Sequence, residues 1–170
     1  VYIDSLGKDQ QGSLKVYDLT QDGIRLEPVL SETILEVPLN TPIPPGGSST
    51  FSLSFEGHVP DVIRRAGKNS SEGVEFSMAQ WYPKMAEYDV DGWNADPYIG
   101  REFHGVWGNF DVKITLDKEY MVAGSGYLEN ASEIGMGYHK RKRAKTKKGK
   151  ITWHFVAPMV HDFTWAADKD

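Results

Sequence analysis

The sequence predicts an all-β protein: a curved antiparallel β-sandwich or saddle-like sheet of about nine short strands. Three observations carry this expectation. Apolar and polar residues alternate with period two in three runs. β-branched and aromatic residues fill the other strand candidates. No window holds the i, i+3, i+4, i+7 apolar stripe of an amphipathic helix. The clearest runs set Phe51, Leu53 and Phe55 against Ser52, Ser54 and Glu56, and Val74, Phe76 and Met78 against Glu75, Ser77 and Ala79. The longest sets Phe110, Val112, Ile114 and Leu116 against Asp111, Lys113, Thr115 and Asp117. One buried and one solvated face per strand is the pattern of an antiparallel sheet. Further strands are expected over 13–19, 23–29, 32–38, 119–128, 150–157 and 161–167, and the one helical candidate is a turn over 61–65.

Turn chemistry separates these strands. Gln21-Asp22-Gly23 predicts a hairpin. Pro42-Ile43-Pro44-Pro45-Gly46-Gly47 predicts a rigid loop, 68–73 a polar one, and Asp117-Lys118 a tight connection between two strong strands. Residues 80–108 differ from the rest. They gather Trp81, Tyr82, Tyr88, Trp93, Tyr98, Phe103 and Trp107 among prolines and glycines. A long aromatic segment of this kind either plugs the core or forms a contact surface.

Composition sets the class. The 170 residues suit a single β domain spanning 1–170. Apolar content of 39% places the chain with globular rather than disordered proteins. No apolar run is long enough to span a bilayer as a helix, and no charged-then-apolar leader opens the chain. With no cysteine, disulfides, thiolate-held zinc and thiol catalysis are excluded. The net charge of −5 hides an asymmetry. Eight of the 19 basic residues lie between Lys140 and Lys150, which leaves 11 basic against 24 acidic residues elsewhere, or −13. A globally acidic surface argues against nucleic acid as the partner. Compartment is not legible, and an exported bacterial protein fits the composition as well as any other.

Few residues carry chemistry. The five histidines are His58, His104, His139, His154 and His161; no two are four apart, so no HExxH zinc motif exists. His154 and His161 lie on adjacent strand candidates but lack a nameable third ligand. The acidic stretch Glu87 to Asp96 places oxygen ligands at alternate positions, as calcium loops do. Its glycine, Gly92, falls at the fourth place counted from Asp89, and Gly100 stands where a calcium loop needs Glu. Asx turns explain these residues without an ion. The run Lys140 to Lys150 is either a polyanion-binding patch or, on the plainer reading, the solvated loop of a hairpin between 119–128 and 150–157. Two glycosylation triplets start at Asn69 and Asn130. No G-x-S-x-G elbow accompanies the serines. The chain therefore offers no catalytic residue, no metal site and no cofactor site of its own.

Two segments point further. One runs Gln80-Trp81-Tyr82-Pro83-Lys84-Met85-Ala86-Glu87-Tyr88-Asp89 and continues through Gly92-Trp93, Asp96-Pro97-Tyr98 and Gly100-Arg101-Glu102-Phe103. The other starts at Phe110-Asp111-Val112-Lys113-Ile114-Thr115-Leu116 and resumes as Trp153-His154-Phe155 and Val160-His161-Asp162-Phe163-Thr164-Trp165-Ala166-Ala167. With the stretch Pro38 to Gly47 and the strand after it, they resemble the N-terminal β domain of M1-family (gluzincin) zinc aminopeptidases, in a bacterial branch. The resemblance covers most of 32–170. It implies a scaffold domain that packs on a thermolysin-like catalytic domain of the same polypeptide. That domain, expected after Asp170, would hold zinc with HExxH and a downstream Glu and act on peptide substrates; earlier strands would precede Val1. In the family, one residue of this β domain helps hold the substrate's α-amino group, a Gln in a T-Q-x-E segment. Gln80 matches it, although here the segment reads Ala79-Gln80-Trp81-Tyr82. Alternation agrees to this extent: Gln80 continues the face of Val74, Phe76 and Met78, where an apolar residue is expected, so it marks a strand end or a site. The competing reading is a stand-alone β-sandwich module for carbohydrate or protein ligands, with Trp81, Tyr82, Trp93, Tyr98 and Trp107 as a stacking platform.

Overall fold

The computed structural model describes residues 6–61, 65–95, 105–136, 138–140 and 146–169. Of the sequence-based expectations, the chain start, most of the 61–65 turn, Asp96 to His104 and Arg141 to Lys145 lie outside the described residues. A 3-10 turn at Lys8–Gln10 precedes β1 (Ser13–Gln21), β2 (Ile24–Arg25), β3 (Val29–Ser31), β4 (Ile34–Glu36) and β5 (Phe51–His58). Next come β6 (Gly67–Lys68), β7 (Phe76–Met78), β8 (Glu87–Asp89), β9 (Gly92–Asn94), β10 (Gly108–Asp117), β11 (Tyr120–Gly124) and β12 (Tyr127–Leu128). A single-turn α1 (Ala131–Ile134), β13 (Lys150–Val160) and β14 (Trp165–Lys169) complete the order. The fold is all-β, and every strand pair whose register is described is antiparallel. Among the described residues, no helix is long and apolar enough to cross a membrane.

The chain divides into two compact units. The first comprises 1–13, 58–81 and 107–170. It holds two sheets, ordered β10-β13-β12 and β11-β14-β7-β6. Both contribute to one core: Ile114, Ile151, Trp153, Phe155 and Ala157 from the first sheet, and Tyr120, Val122 and Ala167 from the second, closed by Phe163 and Ile134. The period-two reading of β10 holds along its length. Phe110, Val112, Ile114 and Leu116 turn inward, whereas Asp111, Lys113, Thr115 and Asp117 are exposed. Pro158 lacks an N–H, and the ladder slips there, from Phe110 opposite Ala157 to Gly108 opposite Val160. Met159 takes up the slip with φ +50 and donates its N–H to Asn109 Oδ1.

Three expected strands are cut differently. The 23–29 run yields only β2, and Val29 opens β3 in another sheet. The 119–128 run splits into β11 and β12, which belong to different sheets. Gly124-Ser125-Gly126 makes the crossing. Gly126 has φ +78, and a Cβ there would lie 2.2 Å from Val156 O, so only glycine passes. Likewise, β10 and β11 are joined through Lys118 and Glu119 yet do not pair with each other. The 161–167 run forms a strand only from Trp165. Before it, side chains serve the backbone: Asp162 Oδ1 accepts the Phe163 N–H and Ser125 Oγ accepts the Thr164 N–H. The α1 turn has no signal in the sequence because one turn is too short to show a stripe. It nevertheless buries Ile134 in the core.

The second unit comprises 14–57 and 82–106. It holds a β2-β1-β5 sheet and the hairpins β3-β4 and β8-β9. The Asp22-Gly23 hairpin forms as expected. Gln21 pairs with Ile24, and both turn residues have positive φ (+49 and +85), the type I′ geometry that suits strand twist. The loop that follows is also as expected. Gly47 N–H donates to Pro44 O, and Pro45-Gly46, with Gly46 at φ +73, makes a type II turn. Gln21 is only 2% exposed and fully used: its Nε2 donates to Thr41 O and Ser49 Oγ, and its Oε1 accepts the Thr41 N–H. Burial of the Phe51, Leu53 and Phe55 face falls short of expectation. Phe51 is half-buried, but Leu53 and Phe55 are exposed, since β5 belongs to a sheet of just three strands.

Candidate functional site

Gln80 stands just past the end of β7. The ladder to β14 stops at Met78 opposite Trp165, and Gln80 then adopts φ +54. That left-handed backbone costs a non-glycine residue about 1–2 kcal/mol. The turn it makes sends Trp81 inward. The Trp81 indole N–H donates to Phe163 O at 3.1 Å, and its ring meets Trp165 edge-on at 6.2 Å. The Gln80 side chain is exposed, and among the described residues its carboxamide has no hydrogen-bond partner. A strained, solvent-facing carboxamide beside a half-buried indole can accept a hydrogen bond from a cation such as an ammonium group. The alternative of a strand-end Gln bonded to backbone has no bond to support it.

The aromatic segment around Gln80 is divided by the fold. Trp81 belongs to the core of the first unit. Tyr88 and Trp93 face each other across the β8-β9 hairpin, edge to face at 5.0 Å, and remain 66% and 62% exposed. Trp107 stacks on His161 at 5.2 Å and 20°. Tyr98 and Phe103 lie outside the described residues.

The acidic stretch is spent on its own hairpin. Asp89 Oδ1 accepts the Asp91 N–H, and Asp89 Oδ2 accepts from Asn94 Nδ2. Gly92, at φ +106, completes the turn. The histidines do not converge. His154 bonds Asp111 at 2.9 Å, His161 stacks on Trp107, His58 Nδ1 lies 2.7 Å from Gln11 O, and His104 is outside the described residues. The strands expected to bring His154 and His161 together fall in different sheets. Among the described residues, no group of three His, Cys, Asp or Glu side chains is placed to hold a metal. Both glycosylation-triplet asparagines bond within the fold, Asn69 to Asp61 and Asn130 to Thr152 O.

One polar cluster was not legible in advance. Tyr120 is buried, and its hydroxyl donates to Glu75; Lys169 Nζ sits 3.5 Å from Glu75 and 4.6 Å over the Tyr120 ring. The Glu75 carboxylate holds the Tyr120 hydroxyl above the usual phenol value. The Tyr120 hydroxyl, and then the Glu75 charge, push the Lys169 ammonium up. The three residues come from segments far apart in the chain, so spacing gives no hint of them. They tie β11, β14 and the approach to β7 together. No family model, no curated protein and no solved structure matches the chain.

Proposed function

We propose that this chain is the non-catalytic β domain of an M1-like zinc-dependent aminopeptidase. It packs on a catalytic domain and sets Gln80 against the free α-amino group of a peptide substrate. Gln80 carries the reading. It is the residue that matches the family's amine-holding Gln, and it sits in strained left-handed backbone with an exposed carboxamide that no described residue uses. The Gln80 oxygen would accept a hydrogen bond from the ammonium group and fix the end of the peptide. Zinc does not fit the described residues, which hold no three-ligand group. The metal, and every step on it, belongs to the catalytic domain.

A second reading is a stand-alone binding module. The exposed Tyr88–Trp93 pair favours it, because such a ring pair can stack on a flat apolar ligand face. The coding region separates the two. An HExxH and a downstream Glu within one further domain length support the peptidase reading; a stop codon directly after Asp170 refutes it. In the full-length protein, Gln80→Ala is expected to raise KM for free-amine aminoacyl substrates at least tenfold, the worth of one hydrogen bond to a charged group at about 1.5–3 kcal/mol. Unchanged KM removes Gln80 from the site.

A further inference from the structure

The outward face of the β10-β13 pair carries a shallow depression of about 360 Å³ with basic walls. Register builds it. Lys113 stands opposite His154, Thr115 opposite Thr152 and Asp117 opposite Lys150. Alternation puts all six on the face away from Trp153 and Phe155. The chain then turns back at Lys148-Gly149, whose φ of +52 and +77 close a tight loop and bring Thr146 and Lys147 to the rim. Asn130 fixes the opposite wall: its Nδ2 donates to Thr152 O and its Oδ1 accepts the His154 N–H.

Three ammonium groups, from two strands and a turn, thus border one depression. Glu133 is the single acid in its lining. Lys150 reaches Asp117 at 3.8 Å, but both side chains are more than half exposed, so that pair is weak. Lys113 and Lys147 have no ion-pair partner among the described residues. Cations held round one hollow repel each other, and an anion between them removes the repulsion.

We propose that this depression binds a phosphate or sulfate ester group of a small molecule. The lysines supply charge, and the Thr146 hydroxyl supplies a donor to tetrahedral oxygens; the Thr152 hydroxyl lies 2.8 Å from Thr115 Oγ1 and adds a second donor when Thr115 is the donor of that pair. Its volume lies at the small end of small-molecule sites, which fits one phosphorylated or sulfated compound rather than a nucleic-acid duplex. The proposal stands apart from the peptidase reading and shares no residue with it.

Inorganic phosphate, pyrophosphate and sulfate, titrated at constant ionic strength, test it by amide NMR shifts and calorimetry. Saturable shifts are expected at Lys113, Lys147, Lys150 and Thr152, with a dissociation constant of roughly 1 mM or tighter. Lys113→Gln/Lys150→Gln is expected to weaken binding at least tenfold, about one charge-assisted hydrogen bond or more. Lys8→Gln/Lys15→Gln removes the same charge elsewhere and is expected to change it less than about twofold. Preference for phosphate names a phosphorylated ligand; preference for sulfate names a sulfated one. Shifts that do not saturate overturn the proposal. So do equal losses in the two double variants, or binding of duplex DNA without binding of phosphate or sulfate.

Discussion

Gly126→Ala would place a methyl carbon 2.2 Å from Val156 O and 2.7 Å from Ala157 Cα. Both are backbone atoms of β13, so neither can swing aside as a side chain would. Two costs add. An alanine at φ +78 is strained by about 1–2 kcal/mol, partly offset by about 0.4–1 kcal/mol from the stiffer unfolded chain. The clash then forces β12 from β13, at about 1–3 kcal/mol for overpacking plus about 1 kcal/mol for a strained ladder bond. The sum is about 2–5 kcal/mol. Gly149 provides the control within the same unit: its φ is +77, and a Cβ there would meet nothing within 4 Å. Gly149→Ala therefore isolates the backbone cost, at most about 1.6 kcal/mol. Urea unfolding followed by tryptophan fluorescence reads the difference, since Trp153 is fully buried beside β12 in the core. With a urea slope of about 2 kcal/mol/M, the midpoint falls by about 1–2.5 M for Gly126→Ala and by less than about 0.8 M for Gly149→Ala. Equal midpoints for the two variants would refute the argument that close approach, rather than φ alone, demands glycine at 126.

Two further outcomes follow from strain and charge. Gln80→Gly relieves left-handed strain and removes a side chain with no described partner, so the unfolding free energy is expected to stay level or rise by up to about 1 kcal/mol; a clear loss in urea unfolding would mean that Gln80 holds the fold. The Asp22 carboxylate accepts the Thr50 N–H and the Ser49 hydroxyl, which hold it below the usual carboxylate range. Its depressed value makes its contribution complete above about pH 3.9 and lost as pH falls through the lower folded value. Asp22→Asn is therefore expected to flatten the acid limb of the stability profile below that pH, and an unchanged limb in acid-titrated denaturant melts would count against these bonds.

The route from sequence to site was uneven, for physical reasons. Gln80 was brought forward by the family resemblance; alternation added only that a polar residue there continues an apolar face, an anomaly that coincides with a strand end and a left-handed backbone. Its exposure and its lack of a partner could not be read, because both depend on what lies across the sheet. The acidic hairpin was legible as Asx-turn chemistry, since Asp89 bonds residues only two and five positions away. The basic depression was half legible: the run 140–150 announced its charge, but Lys113 joins it through pairing with a strand about forty residues away. The Glu75–Tyr120–Lys169 cluster was invisible on the same ground.

The sequence alone determined what is local. Period-two alternation set the inward and outward faces of β10, and the Asp22-Gly23 and Pro45-Gly46 pairs set their turns, because the sign of φ is decided by each residue's own sterics. Tertiary structure decided what is shared. β10 and β11 are joined by two residues yet lie in different sheets, β11 and β12 part at Gly126, and Trp81 folds inward while Tyr88 and Trp93 stay out. Alternation names the face a strand must bury, but the partner that buries it is chosen by long-range pairing and packing, which leave no periodic mark in the chain.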